Sequence, residues 1–147
     1  MATSPRRSDH DVRRRAVIED VGRVSHTLHI VAPDEWINAN DRTHRFAVAR
    51  LTKAWRWAAC IAAKDARLPT FDQRVHITAH VHKLHGRQYD ATNWAPTAKA
   101  AVDGLRDAGV LVDDSNKYVV GPDMRAGERA TGRAYLTLTI EEIDDVR

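Results

Sequence analysis

One cysteine in 147 residues rules out a disulfide within the chain. That residue, Cys60, lies in WAACIAA, where a packed thiol in a reducing compartment, the cytoplasm, is expected. Long apolar runs are missing too: no stretch approaches the roughly 20 residues that cross a bilayer, so no membrane association is expected. The early arginines are not followed by an apolar segment, so no secretory signal is expected. No internal repeat or low-complexity block appears, which excludes a repeat array. Charge of one sign is scarce beyond the first fifteen residues. There Arg6, Arg7, Arg13, Arg14 and Arg15 face Asp9 and Asp11, five positives against two negatives, and account for the whole net charge of +3.

What is present fits one ordinary domain, 43% hydrophobic and 29% charged. Residues 1–22 are expected to form a flexible basic arm, with a short helix over 12–21, and residues 23–147 a single domain. Such an arm can follow a phosphate backbone, although on this feature alone a solvated, disordered terminus is the favoured reading. SHTLHIVAP, residues 25–33, alternates as a strand and stops at Pro33. An Asn- and Asp-rich loop follows, with Asp41 or Thr43 as a cap for a helix over 44–67 whose apolar stripe is Val48, Leu51, Trp55, Ala58 or Ala59 and Ala62. QRVHITAHVHKLH, residues 73–85, reads as a second strand. Val75, Ile77, Ala79 and Val81 face inward and His76, Thr78, His80 and His82 share the other side. Strand-spaced histidines without cysteine or a placed carboxylate are weak zinc ligands, so that side is read as a polar surface facing solvent or DNA.

A second helix is expected over about 95–108, with Pro96 in its first turn and Gly109 just past its end. Its apolar stripe is narrow: Ala95, Ala98, Val102 and Leu105. VLV (110–112) reads as a short buried strand, KYVVG as another, GPDMRAGERATG as a long turn, and AYLTLTIEEI as the last strand. The order predicts an α/β (α+β) domain, a single mixed sheet with two main helices packed on it.

The chemistry concentrates in YDATNWAPTAKAAVDGLRDAGVLVDD, residues 89–114. Carboxylates stand at both ends: Asp90 before the helix, Asp113 and Asp114 after it. Hard cations such as Mg²⁺ take oxygen ligands and keep several waters, so two or three nearby carboxylates suffice. If the strands carrying them are neighbours, both ends emerge at one sheet edge. Read blandly, Asn93 is a helix cap, Lys99 and Asp103 are a four-residue ion pair, and the two aspartates are turn residues.

The segment resembles the core motif of the RusA family of Holliday junction resolvases. The matching residues are Asp90, Asn93, Lys99, Asp103 within DGL, Ala108-Gly109 and Asp113-Asp114. The opening strand, the loop with Asn38, Asn40 and Arg42, and the closing LTLTIEEI resemble the same family, so the likeness covers about residues 25–142. It departs from the pattern twice. Thr92 stands where the family has a second loop aspartate, and Lys99 follows Asn93 by a longer step, six residues.

The resemblance implies a homodimeric, Mg²⁺-dependent endonuclease, with Mn²⁺ as an alternative metal, that nicks four-way junctions and related branched DNA in recombination, repair or phage DNA processing. It implies Asp90, Asp113 and Asp114 as metal ligands and Lys99 as the stabiliser of charge on the phosphate. Asn93, Thr92 and Asp103 would be supporting residues, and Arg42, Arg45 and Arg87 would contact DNA. Trp94 beside the site is either a base-stacking platform or, more in keeping with its type, core. The missing carboxylate at Thr92 leaves a second expectation open: a branched-DNA-binding protein with weakened or lost cleavage.

Overall fold

The computed structural model describes residues 25–40, 44–113 and 115–143. The expected basic arm and short helix over 12–21, and Asp41, Arg42, Thr43 and Asp114, lie outside them.

Four strands form one sheet: β1 (Ser25–Val31), β2 (Val75–His82), β3 (Val119–Ala126) and β4 (Tyr135–Glu142). Their spatial order is β1-β4-β2-β3. β4 is antiparallel to both β1 and β2, so those two point the same way, and β3 lies parallel to β2 on the outside. Two helices, α1 (Arg45–Asp65) and α2 (Ala95–Asp107), pack on one face. This is the expected mixed α+β architecture. Among the described residues no helix is long and apolar enough to cross a membrane.

Alternation along the strands decides which face the helices cover. Leu28, Ile30, Val75, Ile77, Ala79, Val81, Leu136, Leu138 and Ile140 all point into one core with Leu51, Trp55, Ala59, Ala101 and Leu105 of the helices. Cys60 is buried, as its surroundings predict. On α2 the buried set is wider than the expected stripe and adds Thr97, Ala100, Ala101 and Gly104. The reason is double packing, because α2 rests on the sheet and against α1 at once. Gly104 sits at that crossing. A Cβ there would collide with the carbonyl oxygen of Arg56 and lie 2.8 Å from the Cβ of Ala59. The small residue of DGL is therefore what lets the two helices approach.

Both helices end in the same way. Gly109, with φ of 82°, donates its N–H to Arg106 O, while Val110 N donates to Leu105 O. That is the expected left-handed stop. Arg67 fills the equivalent position after α1 at φ 54°, with Arg67 N to Lys64 O and Leu68 N to Ala63 O. The start of α1 differs from expectation. His44 is its cap, and Nδ1 of that ring accepts from Phe46 N.

Three further expectations are corrected. VLV is no strand: only Leu111 makes an isolated bridge, with Phe71, and Val112 is exposed. GPDMRA is not a turn but the body of β3. Gly121 and Pro122 read as turn punctuation, yet here they form an irregularity where the β2–β3 register shifts between His76 and Thr78. Gly121 adopts φ of 105° with its backbone against Ile77 O, and β3 is an edge strand, where a proline needs no ladder donor. Finally, Asn93 is not the cap of α2; Trp94 holds that position with no side-chain bond.

Candidate functional site

Because β1 and β2 run in the same direction, the loop after β1 and the segment after β2 leave the sheet at one end. Ligands of open α/β sheets gather at such carboxyl ends. Here the two segments are tied together. Thr97, fully buried in the first turn of α2, accepts from Ile37 N (2.7 Å) and donates to Ile37 O (3.0 Å). Ala39 N donates to Asn93 O at 2.8 Å, and Asn40 Nδ2 donates to Asn93 Oδ1 at 3.0 Å. The Asn-rich loop and the Asp90 loop, 53 residues apart between Asn40 and Asn93, therefore form one surface.

Asp90 caps a single 3₁₀ turn, Ala91–Trp94, that runs directly into α2. Its Oδ1 accepts from both Thr92 N (3.0 Å) and Thr92 Oγ1 (2.7 Å). These bonds, the hydroxyl's first, hold the carboxyl below its usual range. Among the described residues Oδ2 has no hydrogen-bond partner. The side chain is thus fixed, ionised and exposed, with one oxygen open. Thr92 secures Asp90 and adds no charge of its own.

The other acidic end lies elsewhere. Asp113 follows α2, and Arg106 in the last helical turn stands 3.8 Å from its carboxylate. The 13 residues of α2 put about 20 Å of helix between Asp90 and this end. Within one chain the two carboxylates do not meet at a common edge. The segment meant to deliver Asp113 is bridged to Phe71, ahead of β2, whereas Asp90 follows that strand. Among the described residues no three His, Cys, Asp or Glu side chains are grouped to hold a metal ion. One carboxylate with an open oxygen is still enough for a Mg²⁺ ion that also binds substrate phosphate and water, and Asp90 fits that role.

Lys99 is exposed on the outer side of α2 between buried Ala98 and Ala100, with Asp103 one turn on. Arg45 and Arg87 are exposed, and the Arg45 guanidinium rests over the Phe46 ring, 5.2 Å from its centroid. Trp94 is half-buried, its ring 6.1 Å from that of Trp36, which in turn lies 4.8 Å from Trp55. Core is therefore the better description of Trp94. The strongly exposed tryptophan is Trp57, on α1.

No sequence pattern marks Lys83. It directly follows β2, and its ammonium lies 4.0 Å from the centroid of Trp94 and 4.7 Å from that of Trp36. Burial lowers its pKa. Only the fold could reveal this, because Trp36, Lys83 and Trp94 come from three separate segments.

The sheet face opposite the helices is half-open and polar, as the alternation predicts. The cross-strand row His29–Thr137–His80–Arg125 lies beside Val31–Tyr135–His82. His29 Nδ1 is 2.9 Å from Thr137 Oγ1, and that oxygen is 3.0 Å from His82 Nε2. His82 is stacked on Tyr135, and its Nδ1 donates to Glu128 O at 2.8 Å. Both of its nitrogens are occupied, which argues against His82 as a metal ligand.

By fold this is an α+β protein built on one mixed sheet, with a polar site at the carboxyl ends of parallel-running strands. No protein-family model and no curated protein matches the chain.

Proposed function

We propose that this protein is a Mg²⁺-dependent endonuclease of branched DNA, acting on four-way junctions as a homodimer. The observation that carries the reading is the joining of two loops that both take part in the RusA resemblance. The amides of Asn40 and Asn93 lock them together beside Asp90, a fixed and ionised carboxylate with a free oxygen. Asp90 would hold the metal, which when bound supplies activation of water and offsets charge on the phosphate. Thr92 orients the carboxylate, and the Asn40–Asn93 pair fixes the turn that carries it. Arg87 and Arg45, both exposed, supply phosphate contacts that set register without reading sequence. Two matched cuts in a symmetric substrate call for a two-fold dimer. The buried, unpaired thiol of Cys60 suits a reducing cytoplasm.

A second reading, a junction-binding protein without cleavage, is favoured by one observation: α2 separates Asp90 from Asp113, so one chain offers a single described carboxylate at the site. A labelled synthetic four-way junction decides between them. Paired nicks that require Mg²⁺ or Mn²⁺ and disappear in Asp90→Asn are the expected result. Tight binding with no cleavage in either metal would establish the second reading, and neither binding nor cleavage would remove both.

A further inference from the structure

Lys83 is the cation at this end of the sheet that the aspartate motif leaves unexplained. Its backbone is fixed, since Lys83 O accepts from Ala130 N at 2.9 Å and the neighbouring Leu84 O accepts from Arg129 Nε at 2.6 Å. Its ammonium lies over two indole rings at 4.0 and 4.7 Å. Among the described residues no carboxylate pairs with it. Lys83 is half-buried, so its ammonium has lost part of its water, which the ring faces replace only in part. Trp94 adds a second unmatched donor: its Nε1–H is buried without a hydrogen-bond acceptor. This ring belongs to the turn that Asp90 caps.

An ammonium without a carboxylate partner, resting on the ring of a tryptophan whose turn Asp90 caps, suits an anionic ligand. We propose that Lys83 binds a phosphate oxyanion, and that in the nuclease reading, on which this last step rests, that phosphate belongs to the DNA strand held at Asp90. Lys83 leaves the same strand end as the Asp90 loop. The two indoles orient the lysine stem, so that little side-chain freedom is lost when the anion arrives.

The test uses the full chain and two probes. Inorganic phosphate is titrated at constant ionic strength while tryptophan emission is followed, with chloride as the control. A saturable change is expected in wild type, in Lys83→Arg and in Lys64→Met, an exposed lysine in the last turn of α1, and none in Lys83→Met. Thermal unfolding without phosphate checks that Lys83→Met is folded, and the arginine variant separates lost charge from lost packing. In a junction-binding assay Lys83→Met should weaken affinity by roughly tenfold, the worth of one charged hydrogen bond. It should also reduce the slope of log K against log salt by about one, with Lys64→Met unchanged. A phosphate response that depends on Lys83, without junction binding, would uphold the anion site and refute the nuclease. Junction binding or cleavage unaltered in Lys83→Met would refute the role of Lys83 and leave the nuclease standing. No phosphate response in wild type would overturn the anion site itself.

Discussion

Single side chains on the open sheet face have their protons placed by what each neighbour can accept. Glu128 O can only accept, so His82 Nδ1 carries a hydrogen. In the neutral ring Nε2 then accepts from the Thr137 hydroxyl, whose oxygen accepts in turn from His29 Nδ1. This leaves His29 Nε2 as the basic nitrogen of the row. Burial, and secondarily the charge of His82, lowers the pKa of His29 below 6.5. His80 is lowered likewise by burial, then by His82 and Arg125. The folded protein thus resists protons that the unfolded chain accepts from about pH 6.5 downward. Stability present above that pH is lost as the pH falls below it. The melting temperature should decline as the pH falls below about 6.5, and decline less in a His29→Gln/His80→Gln double variant. Ring carbon shifts should show both histidines titrating below 6.5; a midpoint above it would refute this order of protons.

For whole elements, the sequence was informative wherever periodicity and punctuation agreed. Both helices, strands β1, β2 and β4 and the Gly109 stop were legible, because the apolar spacing and the terminal residues pointed the same way. β3 was not, since Gly121 and Pro122 carry a turn signal that an edge strand can absorb as an irregularity. The site divides similarly. The place of Asp90 before a helix was legible, whereas the pairing of Asn40 with Asn93 was not, because 53 residues separate them in the chain. Lys83 depends on contacts among three distant segments, which no local pattern encodes. The ends of the helices also yield a prediction. Arg67 holds a left-handed conformation that costs an L-residue about 1–2 kcal/mol, and glycine bears it without steric cost. Arg67→Gly should therefore stabilise the fold by about 1 kcal/mol in urea unfolding. A loss of stability would mean that the arginine side chain compensates for its backbone.

The whole molecule sets Asp90 and Asp113 apart at opposite ends of α2. If Asp113 and Asp114 act in the same reaction as Asp90, a second chain must supply them. Co-expressed Asp90→Asn and Asp113→Asn/Asp114→Asn chains should then regain cleavage as mixed dimers. Each mixed dimer would hold one complete site and leave single nicks in a four-way junction where wild type leaves paired ones. A mixture as inactive as its parents would place all the chemistry within one chain. The strand order has its own consequence, concerning time rather than space. β4 lies between β1 and β2 but is translated after both. While the chain is being made, the two earlier strands have no shared partner, and their apolar faces stay without the ladder that aligns them. Sheet closure must wait until Glu142 has left the ribosome. The last strand to be synthesised is the one around which the sheet assembles, so this domain should complete its fold almost entirely after its own translation.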